Sequence, residues 1–280
     1  MATSQPGPTD QDDFYLGPKI STQPSPLPAK DLYTSGNYAT LQSLSEADVP
    51  ALWKNLGTPE DNTSHAVFNY LPLLRRPNPE AFAKVLRSLR DDRGMVFYAI
   101  KVDPNRLSPS SSSSSSSANP SAAHAEPLGL IAFLNIEPEN RALEVGSVLF
   151  SPALQRTAAG TEAHYLLLRY AFGEEPNPPS STPALSPPYR RVVWKCNPLN
   201  ATSRRAAERL GFVYEGTLRN HMIFCERSRD SDFLSIIEEE WAGFVRPGFE
   251  AWLDEGNFGE NGRQVCRLEE LRDRERERKE

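Results

Sequence analysis

Residues 149–163 carry the pattern with the most chemical content in this chain. They read Leu-Phe-Ser-Pro-Ala-Leu-Gln-Arg-Thr-Ala-Ala-Gly-Thr-Glu-Ala, so that an apolar strand leads through small residues into a helix. The first amides of a helix have no acceptor within it, and small side chains let a phosphate group approach them closely. The stretch therefore predicts an anion site, and an alanine-rich helix start packed tightly on a sheet is the alternative. Neither GxGxxG nor GxxxxGK[ST] occurs here, which excludes two common nucleotide-binding loops.

A second stretch, 194–216, places a hydroxyl on the apolar face of a predicted helix. Ser203, Ala207 and Leu210 stand at i, i+4 and i+7, so they share one face. A hydroxyl on an inward face needs a hydrogen-bond partner. Either Ser203 bonds a backbone carbonyl or helps to cap the helix, or it serves a reaction.

The same stretch contains the pattern N-x-x-S-x6-L-G-F-x-x-E-G, from Asn200 to Gly216. This pattern resembles the motif with which acetyltransferases of the GNAT superfamily end one strand and begin the next helix. Residues 155–160 resemble the (Q/R)xxGx(G/A) acetyl-CoA loop of that superfamily, with Ala158 in place of the first glycine. The resemblance covers roughly 38–241, is sharpest over 144–216, and is closest to the ribosomal-protein N-acetyltransferase-like branch.

The resemblance implies a GNAT fold, which is an α/β fold whose mixed central β-sheet has splayed parallel strands and is flanked by helices. Here the splayed strands would be 144–150 and 190–196. It also implies an N-acetyltransferase that uses acetyl-CoA as co-substrate, needs no metal, and transfers acetyl to a primary amine by direct attack in a ternary complex. Ser203 would donate a proton to the departing thiolate, and Asn200 would hold the pantetheine amides or cap the helix. The cofactor-binding residues implied are Val148, Leu149, Phe150, Gln155, Arg156, Thr157, Ala158, Ala159, Gly160, Thr161, Asn200 and Ser203.

Glu144 is the candidate base for that reaction. An amine must be neutral to attack a thioester, so a proton acceptor must lie nearby, directly or through water. A carboxylate in the largely apolar strand 142–150 is rarely buried without a role. The alternative is an edge glutamate that faces solvent or pairs with an arginine such as Arg141.

Other reactive side chains have a simpler interpretation. His164 and His221 are expected to be structural, and Cys196 is expected to be a buried structural thiol, because direct attack needs no nucleophile from the enzyme. The acceptor stays open among a protein N-terminus, a lysine, a polyamine and a small amine. A non-catalytic CoA-binding or interaction module of the same fold, and an acyltransferase that uses another acyl-CoA, are the alternative functions.

Strands and helices alternate along the chain, which indicates the α/β class. The last two strands are expected to form an antiparallel pair joined through 226–230, and 267–280 to be a solvated helix or a frayed tail. Gly211 is expected to end a helix in the left-handed conformation. The predicted strands are 38–44, 95–102, 128–136, 142–150, 190–196, 213–225 and 232–237, and the predicted helices are 49–56, 78–90, 157–172 and 201–210.

Composition excludes several classes of protein. The 280 residues include 31 basic and 37 acidic side chains, a net charge of -6, and 38% are apolar. Without a basic stripe, nucleic-acid binding is not expected, and no apolar run is long enough to cross a bilayer. The three cysteines are widely spaced, which predicts a reducing, cytoplasmic location and neither disulfides nor a zinc site.

Proline marks the predicted domain organisation. Sixteen of the 25 prolines fall in 1–36, 103–127 and 173–188. These segments are predicted to be a flexible arm and two flexible inserts. The acetyltransferase domain then spans 37–253, followed by a charged tail over 254–280, and the protein is expected to be a monomer or a homodimer.

Overall fold

The computed structural model describes residues 18–57, 66–107, 125–177, 182–259 and 262–279. The first part of the predicted arm, the serine run 110–117 and residues 178–181 of the second insert lie outside these ranges. The strands are β1 (Tyr33–Ser35), β2 (Thr40–Ser43), β3 (Val96–Val102), β4 (Glu126–Glu137), β5 (Ala142–Phe150), β6 (Arg191–Cys196), β7 (Val213–Phe224) and β8 (Arg227–Ile237). The helices are α1 (Val49–Leu56), α2 (Pro79–Arg93), α3 (Ala158–Ala171), α4 (Ala201–Leu210), α5 (Arg246–Leu253) and α6 (Leu268–Glu277), with the helical turns Glu238–Glu240 and Trp241–Val245 leading into α5.

The eight strands form one sheet in the order β1-β2-β3-β4-β5-β6-β8-β7. β5 and β6 run parallel, and the other neighbouring pairs are antiparallel. β4 is buried over 127–133, as its nearly continuous apolar run predicts for a central strand covered on both faces. The predicted mixed α/β sheet is therefore confirmed.

Helices cover both faces of the sheet. On one face, Leu52 of α1 and Phe82 of α2 pack in a cluster with Leu130 of β4. On the other face, Leu167 of α3 packs in a second cluster with Ile131, the next residue of β4. Successive strand residues point to opposite faces, so one apolar strand supplies both clusters.

Local signals explain where the helices begin and end. The side chain of Asn78 accepts a hydrogen bond from a first-turn amide and caps α2. Asn200 caps α4 in the same way, and Gly211 ends that helix at φ 105°. Thr157 caps α3, which begins one residue later than predicted.

Glu162 joins α3 to the turn between β1 and β2. Its side chain is buried and accepts hydrogen bonds from the amides of Asn37, Tyr38 and Ala39 at 2.7, 2.6 and 2.7 Å. A Cβ on Gly36 would lie 2.2 Å from the Cδ of Glu162, so the close approach requires glycine. The N-terminal strands are thereby fixed to the helix that begins at the predicted anion loop.

The prediction of a flexible arm is wrong where the structure describes the end of that segment. Tyr33–Ser35 form β1, and Leu32 is fully buried. A strand of three residues carries no periodic signal, and its anchors lie far away in the sequence. The hydroxyl groups of three tyrosines exchange hydrogen bonds with the backbone of residues 26–29, namely those of Tyr98, Tyr170 and Tyr189.

The insert 173–188 is also anchored in its described parts. Leu185 is buried, and the side-chain amide of Asn177 donates to the carbonyl of Ser35 at 3.0 Å. Ser25 donates to the carbonyl of Pro188 at 3.0 Å. The two proline-rich segments, the end of the arm and the insert 173–188, are therefore joined by hydrogen bonds, although they look independent in the sequence.

The turn between β7 and β8 is shorter than predicted. Only Cys225 and Glu226 connect the strands, with φ of 49° and 61°. Two central residues at positive φ match a two-residue hairpin loop, so β8 begins at Arg227 and not at Asp232. The loop Cys225-Glu226 lacks the Asn-Gly or Asp-Gly signature of such turns.

The predicted charged tail over 254–280 contains a helix, α6, whose side chains are mostly exposed or half-buried, as expected for 267–280, but which also packs on α4 and α5. Arg272 donates through Nη1 to the carbonyls of Glu208 and Arg209 at the end of α4, at 3.1 Å each. A Cβ on Gly248 of α5 would lie 2.9 Å from the Cα of Arg272. Alternating charges predict a solvated helix, but here a long side chain and a glycine make the contact.

Candidate active site

The parallel strands β5 and β6 separate part-way along their length. Their pairing runs from Ala142 opposite Arg191 to Val145 opposite Trp194 and then ends, although β5 continues to Phe150. The last two residues of β6 pair only with β8. An opening between these two strands is the geometry that the resemblance implies.

A bulge shapes β5 beside this opening. The pairing with β4 shifts register between Leu130 and Ala132, and Ser147 has φ of 49°. An extra residue in one strand disrupts the ladder and increases the local twist. Val148 and Phe150 are half-buried next to the opening, whereas the side chain of Leu149 is buried against α1 and α2, so only its backbone can serve a ligand.

The predicted anion loop keeps two consecutive backbone amides just before α3 without an acceptor among the described residues. Within the described part of the chain, those amides belong to Arg156 and Thr157. Arg156 has φ of 61°, which turns the chain sharply before α3. Both amides lie at the start of a helix, where the dipole favours negative charge.

Three other amides of the loop already have protein partners. The amide of Ala159 donates to the carbonyl of Leu107 at 3.1 Å, that of Gly160 to Oγ1 of Thr157 at 3.1 Å, and that of Thr161 to the carbonyl of Thr157 at 3.3 Å. A Cβ on Gly160 would lie 2.9 Å from the carbonyl oxygen of Leu154, so this glycine serves packing. Gln155 turns back and donates to the carbonyl of Phe150 at 3.1 Å.

Thr157→Ala is expected to lower the free energy of unfolding by about 1 kcal/mol, because the cap of α3 is lost. Its Oγ1 both accepts from Gly160 and donates to the carbonyl of Leu154 at 2.7 Å. Urea titration of the variant measures the loss, and Thr157→Ser is the control that keeps the hydroxyl. Equal stability of the alanine and serine variants would contradict the capping role.

Glu144 is buried and lines a cavity of about 400 Å³ on the α1 and α2 side of the sheet. Its Oε2 accepts a hydrogen bond from Nδ2 of Asn135 at 2.7 Å and forms an ion pair with Nζ of Lys195 at 2.9 Å. Among the residues that the structure describes, Oε1 has no partner. The carboxylate is thus held by one oxygen, and it is not the solvent-facing or Arg141-paired glutamate of the alternative interpretation.

Asn135 and Lys195 are functional candidates that sequence reasoning missed. They lie on β4 and β6, the two neighbours of β5, and strand pairing brings them to Glu144. Nζ of Lys195 also lies 4.8 Å from the ring centroid of Phe233 on β8. The alternation of inward and outward residues in 191–196 could have put Lys195 and Glu144 on one face once the two strands were taken as parallel neighbours.

Ser203 lies below the opening and bonds Trp194, the last residue of β6 that pairs with β5. Nε1 of Trp194 donates to Oγ of Ser203 at 3.0 Å, so Ser203 accepts there, and its own hydrogen bonds the thiol of Cys196. Ser203 therefore bonds a side chain, and neither a backbone carbonyl nor a capping interaction of its hydroxyl is seen among the described residues.

Cys196 is buried next to Ser203. Burial raises the pKa of its thiol, the charge of Asp232 raises it further, and the hydrogen bond from Ser203 opposes the shift. A thiol whose pKa is raised forms little of the nucleophilic thiolate at neutral pH. This environment is that of a structural cysteine.

His221 lies apart from the opening, on the β7–β8 hairpin. Its Nδ1 shares a hydrogen bond with Ser231 at 3.0 Å, and its ring stands edge-on to Phe233 at 5.2 Å.

Among the described residues, no cluster of three or more metal-ligating side chains is found. In the same ranges no helix has the length and apolar character to span a bilayer.

The model of the GNAT acetyltransferase domain matches residues 39–213, more than half of the chain. The chain belongs to the GNAT acetyltransferase family. Acyl-CoA-dependent acetyl transfer is the activity of this family, and the opening between β5 and β6 lies within the matched residues.

Solved GNAT structures resemble most of the chain. A GCN5-related N-acetyltransferase from Brucella melitensis is 28% identical with a TM-score of 0.70, covering 90% of this chain and 98% of that one. A probable acetyltransferase (GNAT family) from Chromobacterium violaceum ATCC 12472 is 26% identical with a TM-score of 0.61, covering 85% and 100%. None of the curated protein sequences compared with the chain matches it.

The ribosomal-protein branch is only a distant GNAT neighbour. A ribosomal-protein-S5-alanine acetyltransferase from Vibrio fischeri is 14% identical with a TM-score of 0.48, covering 75% of this chain and 99% of that one. This likeness is too low to assign the branch, so that part of the expectation stays a prediction.

GNAT acetyltransferases take their acetyl group from acetyl-CoA, and this chain has the features to hold it. Arg156 and Thr157 offer amides and a helix dipole to a diphosphate. The unpaired edges of β5 and β6 offer backbone groups to the amides of a pantetheine arm.

Proposed function

We propose that this protein transfers an acetyl group from acetyl-CoA to a primary amine by direct attack in a ternary complex. The observation that carries the proposal is the state of Glu144. It is buried in a cavity beside the parting strands, with Oε2 held and Oε1 unpaired among the described residues. An amine that enters this cavity meets a fixed proton acceptor.

Glu144 acts as the general base in this proposal. Bound acetyl-CoA supplies the thioester carbonyl that the amine attacks. Oε1 accepts the proton that the amine must lose, directly or through a water molecule. Asn135 and Lys195 position the carboxylate by holding its other oxygen.

Ser203 gives its hydroxyl proton to the departing thiolate, and the proton that Glu144 took from the amine returns to Ser203 through solvent, so amide and thiol are the net products. Its oxygen accepts a hydrogen bond from Trp194, and its own hydrogen turns from Cys196 to the departing thiolate. Direct attack is favoured over an acyl-cysteine route because the raised pKa of Cys196 disfavours its thiolate. The proposed catalytic residues are therefore Glu144 and Ser203.

The cofactor-binding role is proposed for the loop and for the end of β5. The amides of Arg156 and Thr157 receive the diphosphate, and the side chain of Arg156 adds a cation. Ala158 is the first residue of α3. Its methyl group, at a position where the superfamily loop has glycine, narrows the space through which the diphosphate approaches the backbone. The side-chain oxygen of Asn200 accepts the hydrogen bond that caps α4, so its NH₂ group is left to donate to a pantetheine carbonyl.

Titration calorimetry and a thiol-release assay test the proposal together. We expect acetyl-CoA to bind, and free thiol to appear with at least one member of a panel of peptides, polyamines and small amines. Binding without thiol release on any acceptor would favour the non-catalytic module. Tighter binding and faster release with a longer acyl-CoA would favour the other acyltransferase. Absence of binding at millimolar acetyl-CoA would reject both the enzyme and the module.

A further inference from the structure

His164 is a buried histidine in the second turn of α3, and its ring lies between the two parting strands. The ring centroid is 5.3 Å from that of Phe150, at the end of β5, and 5.6 Å from that of Trp194, the last residue of β6 that pairs with β5. His164 therefore packs against one side chain from each of the two parting strands, and one of these, Trp194, bonds Ser203.

The hydrogen bonds of His164 settle its tautomer. Nδ1 lies 3.0 Å from the carbonyl oxygen of Gly160, and a carbonyl only accepts, so Nδ1 carries the proton. Burial lowers the pKa of His164 to about 4, with the charge of Arg209 contributing, so the ring is neutral at neutral pH. Nε2 then carries a lone pair and can only accept a hydrogen bond, so it needs a hydrogen-bond donor.

That donor is missing from the described part of the chain. Nε2 is buried and has no hydrogen-bond partner there. The nearby indole N–H of Trp194 is already given to Ser203. A buried polar atom without a partner is costly, and its persistence calls for an explanation. Phe150 packs against the His164 ring and is only partly buried, so a ligand that reaches Nε2 from the opening displaces the ring of Phe150.

We propose that Nε2 of His164 accepts a hydrogen bond from an amide N–H of the pantetheine arm of acetyl-CoA. His164 is thus a cofactor-positioning residue, and this inference rests on the proposed function. The amides of the arm are strong donors present in both acetyl-CoA and CoA, whereas the thiol is a weak donor that only CoA has. His164 then takes no part in proton transfer.

Titration calorimetry of variants measures the affinity part of this inference. His164→Leu is expected to raise the Kd for acetyl-CoA about three- to tenfold, the worth of one hydrogen bond. His164→Gln keeps an acceptor and is expected to retain most of the affinity. The melting temperature of unliganded His164→Leu is the check on folding, because leucine removes both the orphan acceptor Nε2 and the hydrogen bond from Nδ1 to the carbonyl of Gly160. His221→Leu, on the outer hairpin, is the matched control and is expected to leave the Kd unchanged.

Nitrogen-15 NMR of the side chains measures the hydrogen bond itself. The chain has four histidines, and the signal lost in His164→Gln assigns Nε2 of His164. Both acetyl-CoA and CoA are expected to move this resonance upfield, as a new donor does to a lone pair. A shift with CoA alone would make the thiol the donor and overturn the proposal, and no shift with either would mean a purely structural histidine. In both cases acetyl-CoA binding and thiol release by the wild type would still support the proposed function, whereas wild type that does not bind acetyl-CoA rejects both.

Discussion

Glu144→Gln is expected to lower kcat/KM for amine acetylation by about 10²- to 10⁴-fold, the range that a positioned general base contributes. Glutamine keeps the size of the side chain and can still accept from Asn135 and Lys195, so the cavity should persist. It cannot take a proton from the amine at Oε1. Steady-state rates of thiol release, measured with the best acceptor of the panel, give the ratio.

Glu137→Gln is the matched control, because Glu137 lines the same cavity but is exposed and bonds Asn140. Its kcat/KM should stay within about threefold of wild type, because a surface charge contributes little. The affinity of Glu144→Gln for acetyl-CoA should also be unchanged, since the loop around Arg156 is intact. If Glu144→Gln keeps the full rate across the pH range, the base lies elsewhere.

Glu162→Leu is expected to lower the free energy of unfolding by about 3 kcal/mol or more. The change leaves the amides of Asn37, Tyr38 and Ala39 without their acceptor, and each buried amide left unpaired costs about 1 to 3 kcal/mol. For a domain of this size the melting temperature should fall by roughly 6 to 12 °C. Differential scanning calorimetry of the full chain measures the shift.

Two variants bracket that result. Glu162→Gln retains one carbonyl oxygen for the three amides and should lie between wild type and the leucine variant. Glu277→Leu, an exposed position on α6, should change stability by no more than about 0.5 kcal/mol. A Glu162→Leu protein as stable as Glu277→Leu would mean that the turn at 36–39 relaxes into water without cost.

Elements with strong local signals could be predicted from the sequence. Asn200 and Gly211 bound α4 because a cap and a left-handed residue are properties of single positions. Thr157 did the same for α3. The apolar runs of β4 and β5 were long enough to place every boundary of these two strands to within two residues. The anion loop followed from its place between β5 and α3.

Features that depend on distant pairing could not be predicted. β1 forms because Tyr33–Ser35 pair with β2. The segment before β1 is ordered because tyrosines of β3 and α3 form hydrogen bonds with its backbone. Lys195 meets Glu144 only through the parallel register of β5 and β6. The unpaired Nε2 of His164 is likewise a property of its surroundings, which a sequence pattern does not encode.

The contact from Arg272 to the end of α4 bears on where this protein can be divided. Residues 39–213 match the family, but the carbonyls of Glu208 and Arg209 are held by a side chain almost sixty residues beyond that match. β8 also lies between β6 and β7 in the sheet, so the matched segment alone would leave β6 as a bare edge. The unit that folds cooperatively therefore extends through α6, and a fragment cut at the family boundary would expose an unpaired strand and lose the contact of Arg272 with the end of α4.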